Sequence, residues 1–383
     1  MSMVIKDVTE FREERGEDYT DRVPAIYRQF REGEGIPIHT GLYLENVYEA
    51  ETAPWERTGE RGALINLFGM EGMNDIHLHE LTPNGETTLQ HHLYDEIVYV
   101  AEGNGITIIG EGENKVQFEW EANSLFYLPR SSPYRHINTS PDEPARLLAG
   151  TGLPTIFMVV RDADLIFNPP YNYWENISDE EYYSSDGTLY SGEYPGVGYS
   201  REKPNIWDAN FIPDAVTFDK LDRDLTTGVE YSNMHFPFPD SPMEAHVGEF
   251  PVGTYKTAHR HAPGAALLFI SGEGYSLMWL DEWEDDAKVK FDWEPGTLIV
   301  PPTGWYHHHF NTSTTAARDF VFHPPHLDMF NSEWLDGKGT NRIMHAEEDA
   351  EVRAHFDKVL DKKGRESKMP IDSYMDADYT PDN

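Results

Sequence analysis

Between about Ala63 and Arg161 the apolar positions fall in short runs broken by turn-forming residues. EIVYVAEGNG, ITIIGEG, KVQFEW and SLFYLPR are each rich in β-branched and aromatic types. Runs of about four to six such residues, bounded by Gly, Pro and charged positions, predict the strands of an all-β sandwich or barrel. The pattern lapses after Arg161 and resumes from Ala245 to His323.

The second stretch repeats the first. ALLFISGEGY aligns with EIVYVAEGNG, which places Gly272 opposite Gly103 (272 − 103 = 169). Further on, VKFDWEPGTLIVPP aligns with VQFEWEANSLFYLP, so Trp293 stands opposite Trp120 (293 − 120 = 173), and the longer turn LDEWEDDAK absorbs the difference. The same strands and turns in the same order predict two related barrels, residues 63–161 and 245–323.

The remaining segments read as extensions and a connection. Residues 1–62 form an N-terminal lead-in with a short helix expected in Asp21–Gly35, where Pro24 suits the first turn. No chemistry is visible there. Residues 162–244, rich in Tyr, Gly, Pro and Ser, read as an inter-domain connection whose aromatics cover barrel edges or touch a ligand or a subunit partner. The tail, 324–383, carries a helical stretch, EEDAEVRAHFDKVLDKKG, with an acidic start, a Lys-rich finish and Gly364 as a stop. The last residues, MPIDSYMDADYTPDN, are expected to be loose.

Composition narrows the chemistry. With no cysteine, disulfides, thiolate nucleophiles and Cys-based zinc sites are excluded, so any metal is held by His or oxygen ligands. The 68 acidic against 30 basic residues give a net charge of −38 that is spread along the chain. Such a surface repels nucleic acid and anionic membrane, so neither is an expected partner. It also predicts a chain adapted to a salt-rich cytosol, because salt screens self-repulsion. No apolar run is long enough for a transmembrane helix, and MSMVIKDVTEFREERGEDY lacks a signal-peptide core. A cytoplasmic location is expected.

The chemistry-bearing stretch is Gly253–Asn311. His259 and His261 are two apart and so leave a strand by one face, and His307 follows a Pro-Pro-Thr-Gly turn. Three converging imidazoles are a metal-site arrangement. The spacing of Gly253, His259 and His261, then of Gly296, Pro302, Gly304, His307 and Asn311, resembles the two motifs of the cupin superfamily. The resemblance implies two cupin (jelly-roll) β-barrels in one chain, a bicupin, with a tendency to form homo-oligomers. One position departs from the family: its Glu is replaced by Ala265. A three-His site of this kind resembles gentisate-type ring-cleaving and diketone-cleaving dioxygenases. That implies Fe(II) as cofactor, with Mn, Ni, Cu or Zn also compatible with imidazole ligands, and a small anionic organic substrate with O2. In the first repeat Gln90 stands opposite His259, His92 opposite His261, Glu96 opposite Ala265 and Tyr134 opposite His307. Only His92 and Glu96 remain there as strong ligands, so that barrel is expected to be structural or a weak metal site.

His309 should share the face of His307 and serve as a base or proton carrier beside the site, or simply pack; His136 occupies the same place in the first repeat. His308, Arg260 and His91 should point the other way, although Arg260 is also a candidate for binding a substrate carboxylate. Trp279, Tyr275 and Trp305 line either a substrate pocket or the barrel core. Three functions follow: a dioxygenase cleaving a C–C bond of a chelating aromatic or enolisable acid, a non-oxidative decarboxylase or isomerase, and a non-catalytic binding protein. The second class more often keeps the Glu, and the third commonly loses the histidines.

Overall fold

The computed structural model describes residues 3–15, 19, 22–177, 181–191, 205–224, 229–238, 241–281, 287–325 and 342–380. Two β-barrels are present. In the first, an eight-stranded sheet that includes Arg61–Ile65, Asp75–Leu81, Glu96–Glu102, Leu125–Leu128 and Ala145–Thr151 closes against a three-stranded sheet of Asn104–Ile109, Val116–Glu121 and Tyr134–Asn138. In the second, a nine-stranded sheet containing Ala245–Phe250, Ala266–Ser271 and Ala317–Phe322 closes against a six-stranded sheet containing Ala258–His259, Gly274–Trp279 and Tyr306–Asn311. The repeat extends to irregularities. A register shift falls between Arg146 and Leu147 in one barrel and between Phe269 and Ser271 in the other.

The two large sheets pack face to face, which explains why a run such as Glu96–Glu102 is apolar without alternation. Ile97 and Tyr99 face the other barrel, where they meet Phe320, Phe322, Val247 and Leu268. Val98 and Val100 face the interior of their own barrel with Leu147, Phe126 and Trp120. A strand covered on both faces has no polar side to show. Alternation therefore has a different meaning in Asp75–Leu81: Ile76 and Leu78 join the inter-barrel core, and Asp75, His77 and His79 point inward.

Segments outside the two repeats are built into the barrels. Val4–Asp7 adds in parallel to Ala287–Trp293, and Tyr43–Leu44 pairs with Leu298–Ile299. The expected helix spans Ala25–Gly33 and buries Tyr27 and Arg31. Within the expected connection, Tyr231–Phe236 pairs with Ala245–Phe250, Asn205–Asp208 pairs in turn with Tyr231–Phe236, and Phe211–Ile212 pairs with Leu125–Leu128 of the first barrel. That connection thus supplies strands to both barrels. Much of its Tyr- and Gly-rich run, like residues 282–286 of the lengthened turn, lies outside the described residues.

The tail helix spans Ala350–Lys362, with Asp349 accepting from the Glu351 amide as N-cap. It buries Val352, Phe356 and Leu360 against Tyr255, Tyr275 and Phe310 on the outside of the second barrel. Part of the stretch expected to be loose has regular structure, since Ile371–Tyr374 forms a short 3-10 turn that buries Ser373. No helix among the described residues is long and apolar enough to cross a membrane.

Candidate metal centre

The second barrel brings the three sequence-predicted histidines together. Ring centroids lie 4.3 Å apart for His259 and His307, 4.7 Å for His261 and His307, and 5.9 Å for His259 and His261. Their donor atoms all fall within 4.8 Å of one another. Each Nδ1 faces a backbone carbonyl close in sequence: Thr257 at 3.4 Å, Ala262 at 2.6 Å and Trp305 at 3.2 Å. A carbonyl opposite Nδ1 fixes the proton there and leaves the Nε2 lone pair to a shared ligand. Burial, reinforced by Lys256 at all three and by neighbouring imidazoles at His259 and His307, holds the three pKa values below the ordinary histidine range, so the rings are neutral. Three neutral, pre-oriented imidazoles fit a divalent ion. The position of the family's Glu holds Ala265, packed against Leu267 and Val321. Among the described residues no carboxylate belongs to this cluster.

The other sequence candidates separate into two faces. His309 pairs across to Ser276, whose hydroxyl lies 2.6 Å from its Nδ1, and its ring is 5.6 Å from His307. In the first barrel His136 and Thr107 repeat that arrangement at 2.7 Å. Trp305 sits on the inner side and packs with Phe11 and Tyr19 of the N-terminal segment. Trp279 lies on the outer face of its sheet, stacked on Tyr306 at 5.5 Å, and the Arg260 guanidinium lies 4.6 Å over the same Tyr306 ring. Strand alternation puts that face opposite His307 and His309. The two outward residues are thus parted from the triad that sequence proximity placed them beside.

Three inner residues escaped the sequence reading. The Lys256 ammonium lies 3.8 Å over the Tyr231 ring, and its charge acts on His259, His261, His307 and His309. Asp319 is buried, and burial raises its pKa to about 6 against the pull of Lys256. Gly248 leaves room for both Tyr231 and Asp319, since a Cβ there would sit 1.9 Å from the Tyr231 hydroxyl and 2.4 Å from Asp319 Oδ1. Lys256 was legible only as the inward member of an irregular strand. Asp319 and Tyr231 come from strands whose motifs carry no signal.

In the first barrel the bridge between Gln90 and Tyr134 corresponds to the pairing of His259 with His307, as the repeat alignment requires. Gln90 turns its amide to the Arg57 and Thr88 carbonyls. His92 has both nitrogens occupied, Nδ1 by the Tyr94 carbonyl at 2.9 Å and Nε2 by the Tyr134 hydroxyl at 3.0 Å. Tyr134 donates to Glu96 at 2.7 Å. The expected pair His92 and Glu96 adjoin, with His92 Nε2 3.3 Å from Glu96 Oε1 and the Tyr134 phenol hydrogen-bonded to both. Glu96 also groups with His77 and His79, with donor atoms within 4.8 Å. The sequence signal was present as a second His-x-His on a strand, in DIHLHEL, but it lies outside the motif spacing.

Residues 77–150 match the family described as Cupin domain. Those residues are a cupin domain, and the second barrel, repeating its strands and turns, makes the chain a bicupin in fold. Similar solved structures include oxalate decarboxylase from Lactobacillus farciminis as a formate complex, 14% identical, covering 74% of this chain and 86% of that one, TM-score 0.45. Vicilin from Corylus avellana is 11% identical, with coverage of 86% and 98% and TM-score 0.45. Salicylate 1,2-dioxygenase from Pseudaminobacter salicylatoxidans is 16% identical, with coverage of 66% and 71% and TM-score 0.45. No curated protein sequence matches the chain at a significant level. Likeness at this level bears on neither substrate nor activity.

Proposed function

We propose that the protein is a metal-dependent dioxygenase that cleaves a C–C bond in a small, chelating, anionic organic acid, with Fe(II) held by His259, His261 and His307. The observation that carries this reading is the donor set: three neutral imidazoles, each fixed through Nδ1, and Ala265 where a fourth, anionic ligand would stand. Such a site keeps the full charge of a divalent ion and several open positions. When bound, the ion supplies Lewis acidity and one-electron chemistry towards O2. The chain's own residues bind and orient the acid. Lys256 and Arg342, the latter paired opposite His259, are cations whose charge acts on the triad. Lys256 serves as the carboxylate anchor in place of Arg260, which lies outward over Tyr306. Asp319, with its pKa raised to about 6, is suited to exchange a proton near neutrality. The expected location is the cytoplasm.

The test is anaerobic loading with Fe(II), followed by O2 uptake across hydroxylated aromatic acids and diketones. Stoichiometric O2 consumption with at least one acid, abolished in His261→Ala, is the expected result. Turnover of an acid without O2 would replace this reading with a decarboxylase or isomerase.

A further inference from the structure

We propose that the first barrel holds a second divalent metal ion, at a place in the barrel different from the first: between His77 and His79 on one strand and Glu96 two strands away. The three side chains share one interior. The strand Ala145–Thr151 lies between their strands, pairing Thr151 with both Asp75 and Glu96, and Ala149 with His77. Side chains at His77, His79 and Glu96 therefore leave on the same face, and their donor atoms come within 4.8 Å of one another. All three are buried, with relative exposures of 3%, 4% and 1%.

Two independent observations point to a ligand. First, among the described residues neither ring nitrogen of the buried His79 has a hydrogen-bond partner. Buried polar atoms are rarely left so, and each one unmade is destabilising. Second, the cluster has the outer support of a metal site. Asp75 Oδ2 lies 3.1 Å from His77 Nε2, which leaves the other nitrogen for an ion. Asp75 itself accepts from the hydroxyls of Thr151 and of Tyr27. Tyr27 belongs to the N-terminal helix, so that segment serves a site in which no role for it was visible from sequence. Glu96 accepts from Tyr134 through Oε2 and lies 3.3 Å from His92 through Oε1. A carboxylate has about four lone-pair sites, so capacity for an ion remains. Two imidazoles and one carboxylate are a donor set for Zn2+, Fe2+ or Mn2+. The second barrel keeps one member of this set and has lost two: His246 pairs with Val321 where His77 pairs with Ala149, but Gly248 pairs with Asp319 where His79 pairs with Leu147, and Ala265 stands for Glu96.

Zn2+ is the probe. The full-length chain is stripped with chelator and reloaded in high salt, and the ions retained after desalting are counted. Wild type is expected to keep two per chain, His261→Ala one, His79→Phe one and the double variant none. His79→Phe removes a buried, unpartnered polar ring, so its metal-free form should melt at or above the wild type. Glu96→Gln, nearly isosteric and still able to accept from Tyr134, provides a second route and should weaken the same ion at least tenfold. The proposal is overturned if His79→Phe and Glu96→Gln both retain the wild-type count, or if His261→Ala retains none. A wild-type chain that keeps only the ion lost in His79→Phe and Glu96→Gln, with the count unchanged in His261→Ala, would count against the proposed function alone.

Discussion

Lys256 is the residue whose placement most changes the chemistry of the second barrel. It stands among neutral imidazoles, over the Tyr231 ring and opposite the buried Asp319. A cation held there, beside a site with open ligand positions, selects anionic substrates. Replacing it with Met keeps the apolar stem and removes the charge. A charged hydrogen bond of about 1.5–3 kcal/mol corresponds to a ten- to hundredfold rise in KM for the acid, with a smaller change in kcat. Steady-state kinetics of Lys256→Met on an acid substrate checks this, and an unchanged KM would remove Lys256 from substrate binding. His309 is different. Because His136 with Thr107 repeats its bond to Ser276 in a barrel that lacks the triad, the pair reads as a strand-to-strand tie shared by both halves.

At the scale of elements, the two repeats are held in register by hairpin glycines whose roles differ. Gly272 has φ +80°, and a Cβ on it would lie 2.8 Å from the Ala317 Cα; Gly103, with φ +88°, meets Ala145 at the same distance. In both barrels the turn passes tightly over the first residue of the strand that neighbours it in the sheet, Ala145–Thr151 or Ala317–Phe322. Gly304, in the turn before His307, has φ +77° but nothing within 4 Å of a Cβ. Gly272→Ala should therefore cost about 3 kcal/mol or more, from backbone strain and overlap together, and Gly304→Ala about 1–2 kcal/mol from strain alone. Urea unfolding of the metal-free variants measures both, and equal losses would contradict the contact argument. Both glycines belong to recognisable patterns in the sequence, yet nothing in those patterns says which one is crowded.

For the whole molecule, the net charge of −38 dominates solution behaviour. Screening shortens from about 10 Å at 0.1 M salt to about 3 Å at 1 M, so self-repulsion should fade over that range. The expected outcome is a thermal midpoint that rises steadily with KCl, measured on the metal-free chain; a flat response would remove the salt-adapted reading.

The sequence by itself determined the two barrels, their offset and the three histidines of the second. Strand period, hairpin turns and motif spacing are local properties that survive without coordinates. Tertiary structure decided what meets across the barrels. Lys256, Asp319 and Tyr231 share an interior because closure brings distant strands onto one face. Arg260 and Trp279, although neighbours of the motifs in sequence, leave by the other face. In the first barrel, motif spacing pointed to His92 and Glu96. Strand pairing instead left His92 hydrogen-bonded through both nitrogens and brought Glu96 to His77 and His79. Spacing along one strand fixes which face a side chain takes, but which residues lie opposite it depends on how the sheet closes.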